Sequence, residues 1–266
     1  MANKEFQAKS AKEPVIVVDH LTSGYGENIV LKDVNLKVFP GEILVVIGES
    51  GCGKSTLMKN MIGLNQPFSG TVVINDIDIY TGDEIEQRKL HRQIGVAFQV
   101  GALFSSMNLG ENVALPLQQY TDLPEAEINR LVKMKLGMVN LAGYENHFTQ
   151  ELSGGMQKRA GLARAMALDP MVLFFDEPSA GLDPVTAAEL DILIKSINAG
   201  MEITFVVITH ELQSIFNIAH RVVMLDKEAQ GVIAEGDPRD LQEHADNPRV
   251  HNFFNREPAR KKERKV

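Results

Sequence analysis

A nine-residue stretch rich in glycine constrains the fold of this chain more than any other feature. It follows the apolar run Ile43–Ile47 and consists of Gly48, Glu49, Ser50, Gly51, Cys52, Gly53, Lys54, Ser55 and Thr56. Glycine permits the positive φ angles and close backbone approach that a ring of N–H donors around an anion requires. The pattern G-x-x-x-x-G-K-[ST] between a predicted strand and a predicted helix therefore indicates a phosphate-binding loop.

The side chains of this loop have predictable roles. We expect Lys54 at the β- and γ-phosphates of a nucleotide and the Ser55 hydroxyl on Mg²⁺, with the other loop residues also binding nucleotide. The adjacent helix N-terminus and Lys54 favour a thiolate at Cys52. Maleimide is therefore expected to modify Cys52 in a nucleotide-dependent way.

Composition narrows the class of protein. The chain has 266 residues, of which 44% are hydrophobic, so we expect one or two globular domains. Acidic residues outnumber basic ones by 35 to 27, and the net charge of −8 argues against a nucleic-acid partner. One cysteine allows no internal disulfide, and residues 1–5 lack the apolar segment of a signal peptide, so an intracellular compartment is expected. No stretch reaches the ~18 apolar residues needed to span a bilayer, so a membrane role requires a partner.

A tyrosine lies ahead of the phosphate-binding loop. Residues 1–14 indicate a polar lead-in, and strands are predicted at Val15–Val18 and Ile29–Val38. Tyr25 lies between the two strands, on a turn with glycine on both sides. An aromatic ring held there can stack on an adenine, whereas a half-buried structural tyrosine is the alternative.

Further along, a short buried strand is predicted to end at Gln99. Residues 71–79 alternate like antiparallel strands, a helix is predicted over 83–91, and the strand covers 94–98. The amide at its end can contact a metal ion or a water, although a solvated glutamine is the simpler alternative.

A helical insert is predicted next. Gly101, Gly110 and Pro116 favour an irregular segment over residues 100–117. A helix is then expected to begin at Asp122 as N-cap and to continue with apolar residues at helical spacing to Val139.

Two later helices begin with polar residues. Ser153, Gly154 and Gly155 form a second candidate anion-binding nest, for which a simple N-cap is the alternative. Asp183 precedes a helix predicted over residues 185–198 and is expected to act as a cap or as an interface residue.

Two buried strands deliver titratable side chains. The apolar run 171–175 predicts a parallel strand that ends at Asp176 and Glu177. Asp176 can belong to the Mg²⁺ shell, whereas Glu177 can polarise an attacking water. A further strand, predicted over 203–208, leads to His210.

The end of the chain has its own pattern. Residues 222–225 and 231–234 predict a hairpin, followed by helix and a polar tail. Over residues 256–266 basic residues outnumber acidic ones by six to two, which is typical of a solvated segment or of one that reaches an acidic partner or lipid. Phe253 or Phe254 is expected to anchor this tail on a protein surface, with a second copy of the chain as the expected surface.

In this order the motifs resemble the nucleotide-binding domain of ATP-binding cassette (ABC) transporters. The resemblance spans residues 15–236 and matches Tyr25 (A-loop), Gly48–Thr56 (Walker A), Gln99 (Q-loop), Leu152–Met156 (signature), Asp176 and Glu177 (Walker B and base), Ser179–Asp183 (D-loop) and His210 (switch histidine). It implies an α/β fold of the P-loop NTPase type, with a RecA-like core, an antiparallel β-subdomain and a helical subdomain at about 100–165, followed by an extension over 237–266. The signature departs from LSGGQ, because Met156 replaces the glutamine and Gln157 follows.

The resemblance also implies an activity. It implies hydrolysis of ATP with Mg²⁺ held by Ser55, Gln99 and Asp176, and catalysis by Glu177, His210 and Gln99. Two copies would form a head-to-tail dimer in which Ser153, Gly154, Gly155 and Asp183 of one copy approach the nucleotide of the other. The loop after Gln99 would pass the motion to an integral membrane permease.

A finer resemblance is to the ATPase subunits of Mla/Mce-type lipid transporters. It is carried by residues 98–104, residues 111–117 and the methionine in the signature. It implies phospholipid trafficking between inner and outer membranes to maintain lipid asymmetry. The subunit would be peripheral, at the cytoplasmic face of the bacterial inner membrane, with a permease, an Mce-domain substrate-binding protein and a small accessory subunit. The alternatives are the ATPase of a small-solute importer and a soluble ABC ATPase of a cofactor-assembly scaffold.

Overall fold

The computed structural model describes residues 13–99 and 102–256. Most of the predicted lead-in, the first two residues after Gln99 and the basic end of the tail from residue 257 lie outside the described residues.

The described residues form two sheets and a set of surrounding helices. The strands are β1 (Ile16–Tyr25), β2 (Asn28–Val38), β3 (Ile43–Ile47), β4 (Ser69–Ile74), β5 (Ile77–Asp78), β6 (Ile94–Ala97), β7 (Val172–Asp176), β8 (Thr204–Ile208), β9 (Arg221–Asp226) and β10 (Gly231–Gly236). The α-helices are α1 (Lys54–Met61), α2 (Glu84–Gln93), α3 (Leu109–Tyr120), α4 (Glu125–Met138), α5 (Gly154–Ala165), α6 (Pro184–Met201), α7 (Leu212–Ile218), α8 (Pro238–His244) and α9 (Pro248–Asn255), and a 3₁₀ turn covers Thr149–Glu151.

The larger sheet positions the ends of four strands together. Its strand order is β10-β9-β3-β8-β7-β6, and all neighbours except β10 and β9 run parallel. Strands β3 and β8 are buried along their whole length, as expected for a parallel sheet covered on both faces. The carboxyl ends of β3, β6, β7 and β8 therefore lie at one edge, where ligands of open α/β sheets bind.

Strand β3 is shared by two hydrophobic cores. Ile43, Val45 and Ile47 pack in a core that includes residues of α3 to α7, whereas Leu44 and Val46 pack in a second core with β1, β2 and β4. The smaller sheet, of order β2-β1-β4-β5, is antiparallel throughout, which confirms the strand pairs predicted on either side of the phosphate-binding loop.

The prediction of an irregular segment over residues 100–117 is wrong at its end, because α3 begins at Leu109 and runs through Gly110 and Pro116. Asn108 caps this helix: its side chain accepts from the Glu111 N–H at 2.8 Å, and the Glu111 carboxylate accepts from the Asn108 N–H at 2.8 Å. This capping box, together with the burial of one helix face in the core, outweighs the two helix-breaking residues.

The predicted cap of the next helix is also wrong. Helix α4 begins at Glu125 with Pro124 as N-cap, and Asp122 is exposed outside it. The Pro124 carbonyl accepts from the N–H groups of Glu127 and Ile128, at 2.9 and 3.1 Å. The first turn therefore forms around a proline with a preset φ rather than around a side-chain cap.

The described part of the C-terminal extension, residues 237–256, packs on its own chain, which corrects the expectation that a second copy receives the phenylalanines. Phe254 of α9 is 2% exposed, and its ring lies 5.9 Å from the ring of Phe216 in α7. Val250 is buried in the same core. Arg249 pairs with Asp226 at 2.5 Å and also with Glu228, so the helix is held by both apolar and charged contacts.

Candidate nucleotide-binding site

A cavity of about 380 Å³ lies at the carboxyl edge of the larger sheet. Among the residues predicted to bind nucleotide or metal, those that line it are Tyr25, Ser50, Gly51, Gly53, Lys54, Ser55, Thr56, Gln99, Asp176 and Glu177. Loops that are far apart in the sequence therefore meet around one space, because the strands before them are neighbours in the sheet.

The phosphate-binding loop depends on a glycine at its first position. Gly48 has φ of 142°, and a Cβ there would lie 2.3 Å from the main-chain oxygen of Leu225. Gly53 precedes α1, whose first turn has no side-chain cap, so its N–H groups are left for an anion. The Lys54 ammonium donates to the carbonyls of Gly48 and Glu49, at 2.8 and 3.0 Å. An incoming triphosphate would compete with those two carbonyls for this cation.

The expectation of a reactive thiolate at Cys52 is wrong. The thiol is 1% exposed and packs in the second core with residues of α1. Burial raises the pKa of Cys52, and the nearby Lys54 only partly opposes this. The helix dipole is present, but the side chain points away from the cavity, so only the main chain of this residue is available to a phosphate.

We expect N-ethylmaleimide to modify Cys52 slowly, and at the same rate with and without Mg-ATP, because a buried thiol with a raised pKa is a poor nucleophile. Thiol modification followed by intact mass measures this rate. The urea-unfolded chain, which holds this one cysteine, serves as the control and should react fully. Rapid labelling that Mg-ATP prevents would place the thiol in the cavity.

Two adjacent carboxylates end β7. Burial raises the pKa of Asp176, the neighbouring Glu177 adds to the rise, and Lys158, Lys54 and Lys59 oppose it. Oε1 of Glu177 lies 2.9 Å from Nδ1 of His210. Within the described residues, Oε2 of Glu177 is buried and has no hydrogen-bond partner. A buried oxygen without a partner fits a site that takes up a water molecule.

The donor set also fits a magnesium ion. The Ser55 hydroxyl, the Gln99 amide and the Asp176 carboxylate line the same cavity. Mg²⁺ prefers oxygen ligands and is held in nucleotide sites by one or two carboxylates together with substrate phosphates. The residues at this edge of the sheet are therefore suitable ligands.

Tyr25 lies at the margin of the cavity. It is the last residue of β1 and is 50% exposed, and the Lys59 ammonium lies 5.8 Å from the centre of its ring. An exposed ring at the margin of the cavity leaves an aromatic face for stacking.

The second predicted nest does not reach the cavity of its own chain. Ser153 and Gly154 are exposed, and the Ser153 hydroxyl caps α5 by accepting from the Met156 N–H at 3.3 Å. A Cβ on Gly155 would lie 2.4 Å from Cγ2 of Thr186 in α6, so this glycine permits two helices to pack closely. The N-cap alternative is thus observed, while the anion-binding role remains a prediction.

Asp183 also acts as a helix cap in the single chain. Its carboxylate accepts from the N–H groups of Val185 and Thr186 at 3.1 Å and from the Thr186 hydroxyl at 2.6 Å. The bonds from Thr186 lower the pKa of Asp183. A role at an interface is compatible with its exposed position and stays a prediction.

Sequence reasoning missed one residue that contacts this site. Lys158 of α5 donates to the main-chain carbonyl of Gln99 and, at 3.1 Å, to that of Glu177. The available signal was its spacing, because Lys158 lies on the same helix face as Gly155 and Leu162, which are buried.

None of the helices in residues 13–99 and 102–256 has the length and apolar character to cross a bilayer.

Comparisons with known proteins identify the family. The ABC transporter family model matches residues 31–180, more than half of the chain. The probable ribonucleotide transport ATP-binding protein mkl of Mycobacterium tuberculosis is 41% identical over 240 residues, 90% of this chain and 66% of mkl. This chain thus spans just under two thirds of the length of that relative. The methionine import ATP-binding protein MetN of Rhodopseudomonas palustris is 41% identical over 86% of this chain and 62% of MetN.

A third relative and a solved structure match almost end to end. The intermembrane phospholipid transport system ATP-binding protein MlaF of Haemophilus influenzae is 38% identical over 87% of both chains. The ATP-binding cassette MJ0796, solved as a dimer in a post-hydrolysis state bound to ADP and Pi, is 31% identical over 84% of this chain and 98% of that one, with a TM-score of 0.75. These matches confirm the predicted α/β fold of the P-loop ABC type. By its sequence, its fold and the residues around its cavity, this chain belongs to the ABC transporter family as an ATP-binding domain.

Proposed function

We propose that this chain is the ATP-hydrolysing subunit of an ABC transporter complex that moves phospholipid between the inner and outer membranes. The observation that carries the ATPase proposal is the single cavity that brings together the phosphate-binding loop, Gln99, Asp176 and Glu177. ATP is the substrate that fits this set, because the loop recognises phosphates and Tyr25 offers a ring for the adenine.

The geometry supports a direct hydrolytic step. When ATP binds, the Lys54 ammonium gives up its hydrogen bonds to the carbonyls of Gly48 and Glu49 and donates to the phosphates instead. The water oxygen attacks the γ-phosphorus and gives a proton to the Glu177 carboxylate, while the bond between the γ-phosphorus and its bridging oxygen breaks and ADP leaves. His210 holds the other carboxylate oxygen of Glu177. Mg²⁺ held by Ser55, Gln99 and Asp176 would supply positive charge beside the phosphates.

The exposed nest at Ser153 supports a working dimer. In this proposal Ser153, Gly154 and Asp183 act on the nucleotide of a second copy, since they do not line the cavity of their own chain. Two-fold symmetry then completes both sites at once. The MJ0796 cassette, solved as a dimer bound to ADP and Pi, supports the dimer.

The membrane partners belong to the same proposal. An integral membrane permease, an Mce-domain protein and a small accessory subunit would assemble with this chain at the cytoplasmic face of the bacterial inner membrane. The segment after Gln99 would carry the motion, because residues 102–104 are bound to α3 and α5: Arg164 donates to the Ala102 carbonyl at 2.6 Å, and Asn112 accepts from the Phe104 N–H at 2.8 Å.

The lipid substrate is supported by the relative MlaF, because the alignment covers 87% of this chain and 87% of MlaF. The importer alternative is supported by MetN, which is named as a methionine import protein and is 41% identical in sequence to this chain. Both alternatives use the same ATP site, so a measurement of transport distinguishes them.

Proteoliposomes provide that test. The complex is isolated in detergent through a tag on this chain and reconstituted with fluorescent phospholipid or with radiolabelled methionine. We expect ATP-dependent movement of phospholipid and none of methionine. Movement of methionine alone would support the importer, and isolation without any integral membrane protein would support the cofactor-assembly alternative.

We expect His210→Ala to lower steady-state ATP hydrolysis by about tenfold or more while ATP still binds, because the Glu177 carboxylate loses the group that orients it. Phosphate release and nucleotide titration measure the two quantities. His244→Ala, which removes an exposed histidine on α8, is the control and should keep the parent rate. An unchanged rate in His210→Ala would show that Glu177 needs no orienting partner.

A further inference from the structure

Lys158 is a buried cation that the hydrolytic step does not use. It lies in the second turn of α5 and is 7% exposed. Burial lowers the pKa of Lys158, while the charges of Glu177 and Asp176 act in the opposite direction. A lysine is rarely buried unless its ammonium has partners, so its contacts indicate its role.

Both hydrogen-bond acceptors of Lys158 are main-chain carbonyls at the edge of the nucleotide cavity. One belongs to Gln99, which follows β6, and the other to Glu177 at 3.1 Å. One side chain of α5 thus links two loops of the sheet, and these loops carry two of the predicted site residues, Gln99 and Glu177.

The main chain of Glu177 needs such support. Its φ is 47°, in the left-handed region that residues other than glycine occupy only when their surroundings hold them there. The Glu177 N–H donates to the Ile208 carbonyl at 2.8 Å, and its own carbonyl accepts from the Ala180 N–H at 3.2 Å as well as from Lys158. Lys158 is the side-chain member of this set and the one that comes from α5.

We propose that Lys158 is a positioning residue for ATP hydrolysis, which fixes the main chain of Glu177 and the carbonyl of Gln99 to α5, the helix that Ser153 caps. This inference rests on the proposed ATPase function. Because α5 is continuous from Gly154, next to its cap Ser153, to Lys158, a shift of the nest toward a second copy moves the ammonium that holds Glu177. The position of the base then depends on the position of the nest.

The first measurement does not depend on catalysis. Lys158→Met keeps the apolar stem and removes the donor. In the nucleotide-free protein, we expect amide hydrogen exchange in peptides covering residues 176–182 to become at least about fivefold faster. Arg164→Met is the matched control, because it removes another cation of α5 that holds a carbonyl, that of Ala102, but has no hydrogen bond to Gln99 or Glu177 within the described residues. It should leave exchange in those peptides unchanged.

The second measurement is a double-mutant cycle on hydrolysis. We expect Lys158→Met to lower kcat by about tenfold or more with KM within about threefold, and to add little to the loss caused by Glu177→Gln, because it acts through that carboxylate. The inference is overturned if Lys158→Met leaves both amide exchange and kcat unchanged, or if it lowers kcat equally with and without Glu177→Gln. It is also overturned if Arg164→Met speeds amide exchange in residues 176–182 as much as Lys158→Met does, or if the Lys158→Met protein unfolds before measurement. An inactive parent protein would instead overturn the proposed function, while the exchange result still tests the role of Lys158.

Discussion

Glu177→Gln is expected to lower steady-state ATP hydrolysis by about 10²-fold or more while ATP binding is retained, because the amide keeps the shape of the side chain but cannot take the proton of water. The carboxylate is well placed to accept that proton, since one oxygen faces His210 at 2.9 Å and the other is buried without a partner among the described residues. A dimer that binds ATP without hydrolysing it should accumulate, and size-exclusion chromatography with ATP would detect it.

The matched control for this substitution is Glu211→Gln. Glu211 also lies near His210, with 4.0 Å between its Oε1 and Nε2 of the histidine, but its side chain is half exposed and does not line the nucleotide cavity. We expect its rate to stay within about threefold of the parent, since exposed pairs of this kind contribute little. A Glu177→Gln protein that turns over as fast as this control would exclude Glu177 as the base.

Phe254→Ala is expected to lower the free energy of unfolding by about 3 to 5 kcal/mol, the usual range for removing a fully buried phenylalanine. The ring is 2% exposed and contacts the rings of Phe216 and Phe253, with centroids 5.9 and 5.5 Å away. Urea unfolding of the full chain measures the change. Phe68→Ala removes a ring that is 50% exposed, and this control should change the stability by less than about 1 kcal/mol.

The same variant distinguishes two roles of the C-terminal extension, which are packing on its own chain and binding to a second copy. If Phe254 packs only in its own chain, dimer formation at a temperature well below unfolding should be the same in Phe254→Ala and the parent. A variant with parent stability but impaired dimer formation would contradict the packing of α9 on α7 and restore the expectation that a second copy receives the tail.

The sequence predicts this site well where function depends on short local patterns. The phosphate-binding loop, the carboxylates after an apolar strand and the histidine after another strand are each legible within a few residues. Their meeting at one edge follows from the parallel sheet, because parallel strands place their carboxyl ends together. For this reason Gln99, Asp176 and Glu177 could be expected in one cavity before the fold was known.

The wrong predictions have a common physical cause: tertiary packing outweighs the local sequence preferences on which they were based. Gly110 and Pro116 are helix breakers in isolation, yet α3 forms because one face is buried and Asn108 caps its start. Cys52 lies in the phosphate-binding loop, but its side chain faces the core. The helical spacing of Lys158 indicates that it is buried, but its two acceptors have no local pattern, since they lie in parts of the chain that only the fold brings together.

The division of β3 between two cores has a consequence for how the protein unfolds. Alternate side chains of β3 pack in the two different cores, and the phosphate-binding loop directly follows this strand. If either core unfolds, β3 is no longer held and the loop loses its binding geometry. A nucleotide bound to the loop therefore stabilises both cores through mass action. Saturating ATP should therefore slow proteolytic cleavage in the antiparallel sheet as much as in the helical insert, although only one end of the strand touches the ligand.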